Sequence, residues 1–277
     1  MIPWSIQDVI AETNIVMFSP HFDDFLFNLG GYALELKEQN QISTKKFHIL
    51  LLFSRSNYLA GKMAGNKDIG MNRIKLATGR RLLEDMNCLD ELLGAHNYRY
   101  ELFGERECFV RAKSFADSEM EFPHGDYEDF DEEDEQIFAR IKDTVRAWAV
   151  QADTALVFPL AIKEHIDHFI TREAGLRVAK EMGCKARANF YFQEDKPYGG
   201  IATLDEMERI NHFINANNLQ RRIYRQNPEM VIELAFKHYI SQVEEVYRKG
   251  ILQRADQLKD LYGLDYPGDC LYALPRL

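Results

Sequence analysis

Histidine and aspartate crowd two short stretches of this chain. His21, Asp23 and Asp24 stand in "FSPHFDDFLFNLGG" (18–31), after the apolar run "NIVM". His165, Asp167 and His168 stand in "EHIDHF" (164–169), after "TALVFP". Imidazole and carboxylate are the side chains that hold divalent cations through nitrogen and oxygen, and that move protons near neutral pH. Histidines three positions apart at the start of a helix project from one side of its first turn. Brought together, the two stretches give two imidazoles and a carboxylate around a cation with a position open to water, the composition of many catalytic zinc centres. Such a cation lowers the pKa of a bound water to roughly 7 and polarises an amide carbonyl. The same donor set also makes the facial triad of Fe(II) oxygenases, and a fold that merely holds the metal without catalysis is a further alternative.

For the stretches to meet, the elements before them must lie side by side. Short β-branched or aromatic runs at 14–19, 47–54, 98–103, 154–159 and 188–193 read as strands. Between them "GGYALELKEQ", "NRIKLATGRRLLEDMNCLDELLG", "EDEQIFARIKDTVRAWAVQ" and "HIDHFITREAGLRVAKEMG" repeat apolar residues at helical spacing. Alternation of this kind predicts an α/β, Rossmann-like, mostly parallel sheet with helices on both faces, whose site lies beyond the carboxyl ends of the strands. Both clusters follow predicted strand ends. The jelly roll usual for Fe(II) oxygenases needs short antiparallel strands instead, which counts against that alternative.

The 277 residues, 46% hydrophobic, predict one domain over 1–277 with a large core. Within it, 200–277 reads as mainly helical, with "DCLYALPRL" adding a last strand or a docked tail. An acidic loop spans 116–135, and its run at 117–135 holds eleven carboxylates. It reads as a solvated loop whose last members suit the amino end of the next helix, with a mobile flap as the alternative. The net charge of −10, with no dense Lys/Arg stripe, argues against nucleic acid. No apolar run approaches membrane-span length, and the amino terminus lacks a basic-then-apolar leader, so a soluble, unprocessed protein is expected. Four dispersed cysteines without a CxxC pair fit the cytoplasm.

Four stretches resemble the PIG-L/LmbE-like N-acetylglucosaminyl deacetylases. "SPHFDD....LGG" resembles their PHPDD motif and "PLAIKEHIDHFITREA" their HxDH motif, while "YFQEDKPY" (191–198) and "KHYISQ" (237–242) look like the YEDxPY segment and the K..Y.SQ helix of one branch. The resemblance runs from about 14 to 242. It implies that His21, Asp24 and His168 hold zinc, or another divalent metal such as Fe2+, that Asp23 is the general base, and that His165 stands beside the oxyanion, protonated if it is to stabilise it. It also implies an N-acetylated amino sugar, free or in a glycoconjugate, as substrate. Phe22 and Phe25 depart from the family, standing where other members have proline and glutamate.

Asp167 either holds a histidine ring in its tautomer or caps the helix. Arg172, with Glu173, reads as an ion pair or a substrate contact; Glu194, Asp195 and Tyr198 follow a strand and are candidates for substrate binding. Gly30 and Gly31 read as close helix packing. Lys237, Ser241 and Gln242 read as mid-helix positions that either serve the site or tie the helix to the sheet. His48, His96, His124, His212 and His238 read as ordinary core or surface histidines.

Overall fold

Seven strands form one sheet: β1 (Asn14–Ser19), β2 (Lys46–Leu51), β3 (Tyr98–Leu102), β4 (Thr154–Pro159), β5 (Asn189–Gln193), β6 (Gln220–Arg225) and β7 (Gly268–Ala273). The computed structural model describes residues 4–60, 68–113 and 125–276. The strand order is β3-β2-β1-β4-β5-β7-β6. β1 to β5 pair in parallel, whereas β7 runs antiparallel to both β5 and β6. This is the α/β, Rossmann-like sheet expected, and it excludes a jelly roll.

Both faces are covered, so the central strands are apolar at nearly every position. Ile15, Met17, Ile49 and Val157 face one core cluster, with residues of helices Asp24–Glu38, Met71–Leu93 and Pro228–His238. Val16, Phe18, Leu50, Leu156 and Phe158 face the other, with residues of helices Glu132–Ala149 and Ile166–Met182. The strand order reverses between β1 and β4. At such a switch point the two following loops diverge to opposite faces and leave a crevice above the carboxyl ends, which is where ligands collect in open α/β sheets.

The carboxyl-terminal part is mainly helical, with helices Leu204–Ala216, Pro228–His238 and Glu245–Tyr262. The last strand, β7, starts at Gly268 and runs into the 269–277 tail, whereas β6, in "QRRIYR", is not legible in the sequence. Its arginines hid it: Arg221 lies over the rings of Tyr262 and Tyr272, and Arg222 over those of Trp4 and Tyr191, so their stems cover apolar surface like hydrophobic residues. No helix among the described residues is long and apolar enough to cross a membrane.

The acidic run also needs correction. Residues 117–124, His124 included, lie outside the described residues. At its end, Asp131 and Asp134 form the capping box of helix Glu132–Ala149, as the sequence suggested. Asp134, however, is fully buried and pairs with Arg111 and Lys113.

Candidate metal centre and active site

The turn after β1 folds back on the helix it precedes. Ser19 Oγ donates to the carbonyl of His21 (3.0 Å), and the His21 N–H donates to Asp24 Oδ2 (2.7 Å). Asp23 takes the N-cap position of helix Asp24–Glu38, yet its side chain makes no capping bond and lines the crevice instead. Phe22 is buried under the guanidinium of Arg81, 5.2 Å from its ring centroid. Phe25 points into the core, edge-on to Phe47 at 5.8 Å. Its aromatic side chain therefore takes no part in the site.

The loop after β4 is strained. Ala161, Lys163 and Glu164 have φ of 56, 68 and 55°, a region that non-glycine residues occupy at a cost, and commonly near functional sites. Asp195 Oδ2 accepts the N–H of Ile162 (2.9 Å), and Glu164 pairs with Arg209 (2.8 Å), holding the loop in place. His165 then caps helix Ile166–Met182: its Nδ1 accepts the N–H of Asp167 at 3.1 Å. That bond fixes the ring as the Nε2–H tautomer. His165 is thereby a donor, unsuited to bind a metal through Nε2, although its ring nitrogen lies within 4.8 Å of those of His21 and His168.

His21 and His168 are oriented the opposite way. Nε2 of His21 donates to Asp167 Oδ2 (3.0 Å), and Nδ1 of His168 donates to Asp195 Oδ1 (2.7 Å). Each ring therefore turns a lone pair toward the other: Nδ1 of His21 and Nε2 of His168 are 3.2 Å apart, at 3.5 and 3.3 Å from Asp24 Oδ2. Three lone-pair atoms converging in a buried place demand a cation. A tetrahedral zinc with bonds of about 2.0–2.1 Å separates its donors by about 3.3 Å. The spacing fits a divalent metal.

Without a metal, protons answer the same demand. Burial works against a charged His21, but the bonds to Asp167 and Asp24 push it up to about 9. His168 is raised well above the imidazole range, burial again opposing and Asp24 and Asp195 prevailing. Asp24 is held below the carboxylate range by His168 despite its burial. His165, by contrast, is pushed well below the imidazole range by burial and by His21. Together with the bond at Nδ1, this favours the neutral ring over the protonated acid that the sequence suggested. Burial and the neighbouring Asp24 raise Asp23 to about 6, with Arg81 acting in the other direction.

Other candidates divide sharply. Tyr198 lines the crevice with Tyr58, Phe109 and Tyr247. Asp195 belongs to His168 rather than to a substrate. Glu194 is committed to Arg254 and Tyr272, and Arg172 to Glu173 and the Leu160 carbonyl, so neither is a substrate contact. Asp167 both orients His21 and lies in the first turn of its helix, where its N–H, not its carboxylate, makes the cap. Gly31 packs as expected, its missing Cβ leaving 2.7 Å to Gln226 Oε1. Ser241 and Gln242 lie beyond the end of helix Pro228–His238 and tie it to Glu84 and Arg81 of helix Met71–Leu93, not to the sheet.

Sequence reasoning missed Arg81, Glu107, Arg111 and Lys196. Arg81 reaches Asp23 at 3.7 Å and also bonds Glu107, Ser56 and Gln242. Lys196 lines the crevice while its ammonium bonds Asp269 and the Phe27 carbonyl. The one local signal was an arginine inside the apolar face of an otherwise amphipathic helix, as Arg81 is.

No family model and no curated protein sequence matches the chain. Solved structures do. The A40926 pseudoaglycone deacetylase Dbv21 is 19% identical, with 96% of this chain and 98% of that one covered at a TM-score of 0.61. The zinc-inhibited form of the teicoplanin deacetylase Orf2 is 18% identical, with 96% and 99% covered at 0.59. N,N'-diacetylchitobiose deacetylase from Pyrococcus horikoshii is 12% identical, with 98% and 88% covered at 0.58. These neighbours are de-N-acetylases of the LmbE/PIG-L type, and the chain shares their fold.

Proposed function

We propose that this protein is a metal-dependent hydrolase of the PIG-L/LmbE type that removes an acetyl group from the amide nitrogen of an amino sugar or glycoconjugate. The observation that carries the reading is the triangle of His21 Nδ1, Asp24 Oδ2 and His168 Nε2, with sides of 3.2–3.5 Å, beside the carboxylate of Asp23, which lines the crevice 3.7 Å from Arg81. The fold shared with deacetylases of the A40926 pseudoaglycone, teicoplanin and diacetylchitobiose supports it, and the zinc-inhibited form of one neighbour supports a metal site.

His21, Asp24 and His168 hold the cation. When bound, it supplies Lewis acidity toward the amide carbonyl and toward water. Asp23, with a carboxyl raised to about 6, removes a proton from the attacking water and returns one to the departing amine. Neutral His165 donates its Nε2–H to the oxygen that gains charge. Tyr58, Phe109, Tyr198 and Tyr247 offer aromatic walls suited to the C–H faces of a sugar ring. The four free cysteines support a reducing, cytoplasmic setting.

The test is a mass-spectrometric screen for acetate release from N-acetylglucosamine derivatives, free and conjugated, by zinc-loaded protein, with His168→Ala as control. Release by the wild type alone supports the reading. Stoichiometric zinc with no hydrolysis across the panel would favour the non-catalytic metal-binding module.

A further inference from the structure

We propose that Arg111 is a positioning residue for His21, acting through Asp167; the inference rests on the reading that His21 binds the metal. The Arg111 side chain is fully buried. Its Nη2 donates to Asp167 Oδ1 at 2.7 Å and lies 3.1 Å from Asp134 Oδ1, its Nε bonds Asp134 at 3.2 Å, and its Nη1 bonds the Arg106 carbonyl. The guanidinium also lies over the ring of Phe53, 5.1 Å from the centroid. Asp167 Oδ2 accepts from Nε2 of His21 and from the Cys108 N–H, each at 3.0 Å.

A carboxylate with one oxygen serving His21 pivots unless its other oxygen is held. Arg111 holds it, and its own plane is fixed by Asp134, Phe53 and the Arg106 carbonyl. Because a guanidinium is rigid and its donors are set in one plane, this order passes along the chain Asp134–Arg111–Asp167–His21. The imidazole is thereby kept with Nε2–H on Asp167 and Nδ1 turned to Asp24 and His168. A partner of this kind commonly changes metal affinity 10–100-fold. The arrangement also gives the buried end of the acidic run a role in the site, since Asp134 anchors the arginine.

The experiment measures Co2+ affinity and the ligand-field spectrum of the Co2+ protein, with thermal stability of the metal-free protein recorded in parallel. Arg111→Met should raise the Kd by about 10–100-fold and alter the spectrum. Arg111→Lys, which restores the charge without the planar geometry, should fall between it and the wild type. Asp134→Asn, which keeps an acceptor oxygen for Arg111 but removes the charge, should lower Tm and raise the Kd by less than Arg111→Met does. In a double-mutant cycle, adding Arg111→Met to Asp167→Ala should weaken binding no further, because one residue acts through the other. If Arg111→Met does not fold, Arg111→Lys carries the same comparison and the same cycle. Wild-type affinity and spectrum in the Arg111 variant, or effects that add in the cycle, would overturn the proposal. Failure of the wild type itself to bind Co2+ would instead sink the metal reading, and the role of Arg111 with it.

Discussion

The backbone N–H of Asp167 donates to Nδ1 of His165 at 3.1 Å, so the ring beside His21 and His168 is a hydrogen-bond donor at Nε2 without being a cation. Burial and His21 keep it neutral, and a bound metal acts in the same direction. His165→Ala should therefore lower kcat by about 10²–10³, the usual cost of an oxyanion donor, while retaining the metal. The alkaline limb of the pH–rate profile should persist in the variant. Its disappearance would show that His165 titrates in the working range and acts as an acid.

Asp23→Asn should keep the metal and lower turnover by about two orders of magnitude or more. It should also stabilise the metal-free fold at neutral pH. With its carboxyl raised to about 6, the native state takes up protons that the unfolded state does not between about pH 4 and 6, so the ionised group opposes folding above that window. The penalty is up to about 3 kcal/mol, at 1.36 kcal/mol per unit. Tm should rise for the variant at pH 8 and match the wild type near pH 4. A variant no more stable at pH 8 would place Asp23 among structural ion pairs, through Arg81.

Metal uptake should release protons. His21 is raised to about 9 and His168 well above the imidazole range in the metal-free protein, so a cation displaces the proton charge they share on the facing nitrogens. Calorimetry in buffers of different ionisation enthalpy should report a net release of protons, about one per metal. A value near zero would mean that the site is already deprotonated.

Asp195→Asn should weaken metal binding about 10–100-fold, since the carboxylate sets the tautomer of His168. If affinity stays unchanged and KM alone rises, Asp195 would return to the substrate contacts where the sequence first put it.

Helices Tyr198–Ile201 and Glu245–Tyr262 meet at two glycines. A Cβ on Gly200 would lie 2.8 Å from the carbonyl carbon of Gly250 and closer still to its oxygen, and a Cβ on Gly250 would lie 2.7 Å from Pro197 Cβ. Backbone cannot give way as a side chain can. Gly200→Ala should cost about 1–3 kcal/mol and, by moving Tyr198, raise KM more than it lowers kcat. Wild-type stability in this variant would show that the contact is loose.

The sequence made the sheet and the converging motifs legible because both rest on local patterns. Strands at 14–19 and 154–159 match their predicted bounds, and each motif follows directly on one of them. What was hidden depends on contacts distant along the chain. Glu107 and Arg111 look like ordinary surface charges until folding buries Glu107 against Arg81 and Ser56, and Arg111 against Asp167 and Asp134. Asp195 was placed at the site edge correctly but assigned to the wrong partner, since nothing in "QEDKPY" says which imidazole it faces. Arg172 and Glu194 carried the same charges and were absorbed by neighbours. The tautomer of His165 was equally invisible, because one backbone N–H decides it.

The strand order has a consequence for how the protein is made. His21 and Asp24 leave the ribosome early, whereas His168 follows 147 residues after His21 and Asp195 a further 27 after His168. Over those 147 residues the growing chain would carry only the two donors of the first motif, too weak a trap for a scarce metal. On the proposed ligand set, the centre would close only when β4 docks beside β1 and β5 beside β4. A chain halted before that point holds nothing in its place, so cargo is taken on only by a protein whose sheet is already joined.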